Sequence, residues 1–243
     1  SNPISKPEDI NTLISFDENK LSYVFNAVEE TTKLLPTDLP LIGFCGSPWT
    51  LAAYSIEGGG SKDFKKTKNF MRDHPSALHD FLEILCDACY RYLRQQVLSG
   101  VNALQIFDSW ADLLNAQELE IFSLQYTKKI TQKLKSDPIT KNVPIILFEK
   151  DPKQKITDLI FDDLSCISLH WKNDIEAISK SVKNNIAIQG NLNPMILSGS
   201  DEIIYQEVQR ICSIMFEYPG FIFNLGHGIT PDINPQKVQT MIK

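Results

Sequence analysis

No stretch of this chain is apolar for the roughly 20 residues that a membrane-spanning helix needs, and no signal-peptide pattern is expected at Ser1. A disulfide scaffold is excluded as well: the five cysteines are odd in number and follow no framework spacing, so reduced thiols are expected. Cys86 and Cys89 form a lone C-x-x-C inside a helical pattern, and no H-E-x-x-H or second C-x-x-C accompanies it. Core packing explains the pair better than a zinc site. No apolar run is followed by G-x-G-x-x-G, which disfavours a dinucleotide-binding sheet. Ser109 lacks the G-x-S-x-G context of an elbow nucleophile. Positive charge is scarce too. A net charge of −6 argues against bulk binding to nucleic acid or anionic membrane, although local potential in a cleft can still admit an acidic small molecule.

What is present is enough for one α/β domain with a large core: 243 residues, 42% hydrophobic and 22% charged. The rest is organised around Pro40 to Gly60. Leu41-Ile42-Gly43-Phe44 is short and apolar enough for a strand buried on both faces. Cys45-Gly46-Ser47-Pro48 breaks it, Thr50 to Ile56 reads as a short apolar helix, and three glycines end that helix. A strand that runs into a Gly/Pro loop and a short helix is a usual place for an α/β binding site. Trp49, Tyr54 and Glu57 are the side chains this loop can offer.

Around it the chain alternates. Residues 1–17 read as an irregular lead-in, and a helix is expected from Asp17 to Leu35. A basic helix capped by Ser61 ends at His74-Pro75, and a long amphipathic helix covers Ser76 to Leu98. Strands are then expected at Val101–Phe107, Val143–Phe148, Cys166–Leu169, Ile186–Gln189 and Phe221–Leu225. Helices are expected at Ala116–Leu134, near Lys155–Leu159, at Ile175–Val182, at Glu202–Phe216 and from Pro235. No linker, repeat or low-complexity segment interrupts this rhythm.

Six strands, each followed by a helix, imply a parallel sheet, either open and doubly wound or closed as a barrel. A barrel needs eight strands in about 250 residues. The reading is therefore a single (β/α)8 TIM-barrel domain over residues 1–243 in which about six βα units are present and the first two are missing.

In such a fold the site lies at the C-terminal strand ends. Those ends supply Cys45 to Tyr54, Asp108-Ser109-Trp110, Glu149-Lys150-Asp151, His170-Trp171, Asn191 with Asn193-Pro194, and Gly226-His227-Gly228. His227 stands between two glycines after an apolar strand, which packing explains poorly and ligand approach explains well. His170 is balanced between a site role and a solvated rim. His74 and His79 read as capping or surface residues, and the Lys62–Lys68 cluster as a solvated face.

Several segments taken together resemble the uroporphyrinogen decarboxylase family. They are PLIGFCGSPWTLAAYSIEGGGSK at 40–62, LQIFDSWADLL at 104–114, VPIILFEK at 143–150, IQGNLNP at 188–194 and FIFNLGHGITPDINPQKV at 221–238. They occur in the family's order across nearly the whole chain. The resemblance implies a (β/α)8 barrel, a homodimer, a cytoplasmic place in haem and porphyrin biosynthesis, and a carboxy-lyase that removes carbon dioxide from the four acetate side chains of uroporphyrinogen to give coproporphyrinogen. It implies neither metal nor organic cofactor. A protonated pyrrole serves as electron sink, and the protein supplies groups that hold carboxylates and deliver protons.

By motif position, Tyr54 is the implied catalytic and substrate-facing hydroxyl, Ser109 would bind a side-chain carboxylate, and His227 would contact a propionate. Phe107 and Trp49 would wall the cleft. Two departures stand out. The family's paired-arginine MRQAGRYLP-type signature and the following strand with its pyrrole-binding aspartate are absent, so the chain alone is expected to be inactive. The family's usual LDW is Leu169-His170-Trp171 here. Two other readings remain beside this one: a corrinoid-linked zinc methyltransferase of similar fold, which a bound-metal analysis would reveal, and a non-catalytic porphyrin-binding barrel remnant, which porphyrin quenching of Trp49 or Trp110 would reveal.

Overall fold

The computed structural model describes residues 3–13, 16–182 and 186–243. Among them, six parallel strands form one sheet whose spatial order is the chain order. The strands are β1 (Ile42–Gly46), β2 (Ala103–Asp108), β3 (Ile145–Glu149), β4 (Cys166–Ser168), β5 (Ala187–Leu192) and β6 (Phe221–Leu225). The helices are α1 (Pro7–Ile10), α2 (Ser22–Leu34), α3 (Pro48–Glu57), α4 (Lys65–Asp73), α5 (Pro75–Leu98), α6 (Ala116–Leu119), α7 (Gln125–Ser136), α8 (Ile175–Ser181), α9 (Asp201–Met215) and α10 (Pro235–Ile242).

Period-two alternation assigns each strand residue to one of two faces. Leu104 and Ile106 of β2 lie beside Ile145 and Leu147 of β3, with Ile167 of β4 next in line. All five are fully buried on the helix-covered face, where α3, α5 and α7 pack. Gln105 and Phe107 belong to the opposite face. There the Gln189 side-chain amide on β5 donates to Gln105 Oε1 on β2 at 3.3 Å. Strands β2 and β5 are separated by β3 and β4, which in a flat sheet would put them roughly 14 Å apart. A direct hydrogen bond between them requires the sheet to curl into a trough, as in a barrel wall. The curl buries Gln105, Ile146, Cys166, Ser168 and Gln189, while Phe44 and Ile42 on β1 and Ile222 on β6 stay exposed at the two edges.

Three local expectations change. The lead-in is not wholly irregular: α1 is helical, and Ile4 donates its backbone N–H to the Ser55 carbonyl at 3.0 Å, which ties this segment to α3. Residues 1–2 and 14–15 of that lead-in lie outside the described residues. Helix α4 starts not at Ser61 but after Phe64, which is left-handed at φ 48°; Ser61 Oγ accepts the Phe64 N–H one turn upstream. The expected helix near Lys155 is a single 3-10 turn, Ile156–Leu159, which ends where Ile160 turns extended at ψ 127°.

The expected helix over 116–134 is continuous in outline, but a π-helical stretch at Glu120–Leu124 divides it into α6 and α7. Such an extra residue per turn re-aims side chains. It directs Ser123 Oγ to the buried Asp108 carboxylate at the end of β2.

Candidate active site

Helix α3 positions the first group. Ser47 caps it, accepting the Thr50 N–H at 3.0 Å, and Pro48 takes the first helical position, where its missing N–H costs nothing. Gly58 ends it at φ 90°, a conformation that a side chain disfavours, with its N–H donating to the Tyr54 carbonyl at 2.9 Å. Tyr54 is thereby held in the last turn, partly exposed, its ring 5.7 Å from Trp110 and 6.1 Å from Phe64, edge to face in both cases.

The second group is tied to the first. Thr50, also on α3, donates its hydroxyl to Asp108 Oδ1 at 3.0 Å and accepts the Ser109 backbone N–H at 2.9 Å. Asp108 also accepts the Trp110 N–H at 3.2 Å and the Ser123 hydroxyl. One buried carboxylate thus fixes the turn that presents Ser109 and Trp110. Lys150 stands over the Trp110 ring at 4.4 Å and pairs with Asp112 at 3.2 Å, placing a cation on this rim.

Asp108 and Glu149 are register neighbours on β2 and β3, so their side chains share the helix-covered face. Neither Glu149 oxygen has a hydrogen-bond partner among the described residues, and the residue is 1% exposed. Burial pushes the Glu149 carboxyl well above the ordinary glutamate range, and the nearby Asp108 charge pushes it further. Burial also raises Asp108, but its hydrogen bonds oppose that shift. Of the two, Glu149 is the carboxyl whose charged form burial disfavours more, while the donors around Asp108 favour its charged form.

The third group lies across the trough. Gly226, after β6, accepts the Trp171 N–H at 3.2 Å and donates its own N–H to the Leu192 carbonyl at 2.8 Å. A Cβ at Gly226 would fall 2.3 Å from the Trp171 nitrogen, so only glycine allows this approach. The approach sets His227 beside His170, with ring centroids 6.0 Å apart and edge to face. His227 is exposed, whereas His170 is 3% exposed. Burial holds the His170 imidazole below its ordinary value; Asp151 opposes this, and His227, Lys172 and Lys150 add to it.

Of the sequence-derived candidates, Tyr54 and Ser109 are joined through α3 and Thr50, and His227 is joined to His170. No ring contact or hydrogen bond links the two groups among the described residues. Phe107 lies on the trough face, 5.8 Å from both Phe44 and Phe148. Trp49, expected to wall the cleft, is fully buried, with its indole N–H donating to the Trp110 carbonyl at 3.0 Å; it props Trp110 from behind and has no surface to offer a ligand. Sequence reasoning missed Thr50 and Ser123, since nothing local separates them from the other hydroxyls of the same helical segments, such as Ser55 and Thr127. No group of three or more His, Cys, Asp and Glu side chains close enough to hold a metal occurs among the described residues.

A curled parallel sheet with aromatic, hydroxyl and imidazole groups gathered at its C-terminal rim defines a TIM-barrel-like α/β protein whose site is at the strand ends. The family model for uroporphyrinogen decarboxylase (URO-D) matches residues 1–243, and the chain belongs to that family. Similar proteins include the uroporphyrinogen decarboxylase of Vesicomyosocius okutanii, 40% identical over 241 residues, covering 99% of this chain and 69% of that one. Those of Hydrogenovibrio crunogenus and Pseudomonas putida (strain GB-1) are 40% identical over 242 residues and 41% identical over 240. They cover 99% and 98% of this chain and 68% of each relative, so the chain spans about two thirds of its relatives' length. Among solved structures, a methyltransferase from Methanosarcina mazei superposes with a TM-score of 0.69 at 17% identity, covering 90% of this chain and 62% of that one. At that identity the likeness concerns the fold alone. The methyltransferase alternative gains nothing further from it.

Proposed function

We propose that the protein acts as a uroporphyrinogen decarboxylase at the strand-end rim described above, with Tyr54, Ser109 and His227 as substrate-facing groups. The observation that carries this reading is that the family match spans residues 1–243 while those three residues stand on the rim where a parallel barrel keeps its site. Loss of carbon dioxide leaves an electron pair on the former acetate carbon, which a protonated pyrrole absorbs before a proton is delivered to that carbon. The protein's task is to hold carboxylates and to place a proton donor. Tyr54 is the donor hydroxyl closest to the aromatic wall of Trp110 and Phe64. Ser109 offers its hydroxyl to a carboxylate from a turn anchored on Asp108, and the Lys150 ammonium supplies positive potential beside it. His227 takes a carboxylate on the opposite rim. Phe107 lines the floor.

The trough is read as six strands of a closed eight-stranded barrel, with two further strands joining β6 to β1 in a single domain. This reading is supported by the curl and by the exposed apolar groups at both sheet edges. A homodimer and a cytoplasmic location are proposed on family grounds; no described helix is long and apolar enough to cross a membrane.

The test incubates uroporphyrinogen, freshly reduced and kept anaerobic, with the chain and with the natural protein isolated from its source cells. The products are oxidised and separated by the number of carboxylates they retain. Stepwise conversion to a tetracarboxylate by the natural protein supports the reading, and unchanged octacarboxylate from both samples sinks it. Tyr54→Phe and Ser109→Ala are then expected to lower kcat/KM by roughly tenfold to a hundredfold each.

A further inference from the structure

Alternation along β4 puts Cys166 and Ser168 on one side, and Leu169, whose N–H donates to the Gln189 carbonyl at 2.8 Å, carries the extended chain on to His170. Ser168 is on the trough face, because its hydroxyl accepts the Gln189 amide at 3.1 Å. His170 therefore projects into the mouth of the trough, and its ring meets Trp171 at 5.3 Å and His227 at 6.0 Å. Asn191 fixes the backbone beneath it, donating from Nδ2 to the His170 carbonyl at 3.1 Å and to the Asn173 carbonyl at 2.8 Å. The ring itself is not satisfied. Nδ1 is sealed from solvent without a partner, and Nε2 has no hydrogen bond among the described residues. A buried polar group left so costs about 1–3 kcal/mol, and a histidine serving only the core has its ring nitrogens engaged. A ligand in the mouth of the trough would supply the partner that Nε2 lacks.

We propose that His170 is a substrate-binding residue that donates from Nε2 to a substrate carboxylate lodged between it and the exposed His227. Nδ1 is then the unprotonated nitrogen, an acceptor with no donor among the described residues, and the ligand engages Nε2 alone. This inference deepens the reading of the same rim and rests on it, since it is the octacarboxylate substrate that brings the anion. The groups facing the ring are Lys172 on its own segment, Asp151 and Lys150 after β3, Asn191 on β5, and His227 after β6. Asp151 is already engaged by Lys172, so it does not fill the place offered to the ligand. A neutral buried imidazole waits without a counter-ion, and an arriving carboxylate raises its affinity for a proton taken from solvent.

Two measurements on the intact protein test this. In the first, the His170 and His227 imidazole resonances are followed by NMR against pH, with and without uroporphyrin, the stable oxidised octacarboxylate. The His170 titration is expected to begin below the ordinary histidine value and to rise by at least one pH unit in the complex. In the second, uroporphyrinogen turnover is compared for wild type, His170→Phe and His170→Asn, the last retaining an amide donor. A KM raised tenfold or more in the Phe variant, with kcat within threefold and the Asn variant close to wild type, supports the proposal. If wild type turns over substrate but the His170 resonance does not move and the Phe variant keeps its KM, His170 is a structural residue and the proposal falls while the decarboxylase reading stands. If wild type neither binds uroporphyrin nor turns over its reduced form, both fall together. A misfolded Phe variant leaves the wild-type titration to decide.

Discussion

The Gln96 side chain grips the backbone of Phe44 at two points: its Oε1 accepts the Phe44 N–H at 3.0 Å and its Nε2 donates to the Phe44 carbonyl at 3.0 Å. β1 lies at one side of the described sheet, and a side-chain amide from α5 here satisfies one residue's backbone N–H and carbonyl. Replacement by alanine leaves that N–H and carbonyl without partners at a part-buried position. Gln96→Ala is expected to lower unfolding free energy by about 1–3 kcal/mol, read as a lower urea midpoint at unchanged slope. An unaltered midpoint would mean that water satisfies these groups as well as Gln96 does.

Glu149 sets a pH dependence of known sign. Its ordinary value is near 4.5, and the folded value lies well above that because of burial and the Asp108 charge. Between the two, the folded chain holds a proton that the unfolded chain has released. Stability therefore falls as pH rises through this window. Glu149→Gln, which keeps the shape and cannot ionise, is expected to flatten the fall above the ordinary value of 4.5 and to raise the urea midpoint on the alkaline side of it. Parallel pH profiles for the two proteins would place the retained proton elsewhere.

Thr50 links the buried Asp108 to the turn at the rim. Thr50→Val keeps the shape but removes the hydroxyl that donates to Asp108 and accepts from Ser109. Loss of a hydrogen bond to a charged buried carboxylate is expected to cost about 1.5–3 kcal/mol. Because the freed turn bears Ser109, kcat/KM should fall on the order of tenfold or more. A stability loss with full activity would show that the position of Ser109 does not depend on Thr50.

At Gly226 a new Cβ meets backbone rather than a flexible side chain, at 2.3 Å from the Trp171 nitrogen and 2.6 Å from its Cα. Gly226→Ala is expected to destabilise by about 1–3 kcal/mol, as overpacking does. It should also shift the imidazole resonances of both His170 and His227. If only the stability changes, the two rings are not held by this approach.

Most of the architecture can be read in the chain because long apolar runs alternate with amphipathic ones. Phe221–Leu225 matches its expected span in full, and the expected strands elsewhere overlap the observed ones with ends displaced by a few residues. Strand ends are harder: β5 runs on to Leu192, because Asn191 and Leu192 pair with Asn224 and Leu225, a relation between distant segments that no local pattern contains. The same limit governs the site. Tyr54, Ser109 and His227 carry local signals, a strand end or a glycine pair. The burial of Trp49 and of His170 depends on what packs over them from elsewhere in the chain. The π-helical stretch was invisible for a similar reason, since its visible consequence is a contact with Asp108 on another element.

The two faces of β2 carry separate duties at neighbouring positions: Asp108 belongs to the scaffold under the helices, and Phe107 looks into the trough. One residue separates the anchor from the floor. For anyone altering this protein, the turn at Gly100–Asn102 is therefore a reading frame. Each of its residues is held in place: Gly100 is left-handed at φ 105°, Val101 is buried, and Asn102 Oδ1 accepts the Leu41 N–H at 2.8 Å. A single inserted or deleted residue would slide β2 by one step and exchange its faces, sending Phe107 into the helix layer and the Asp108 carboxylate into the trough. Length in that turn therefore governs both faces of β2 at once.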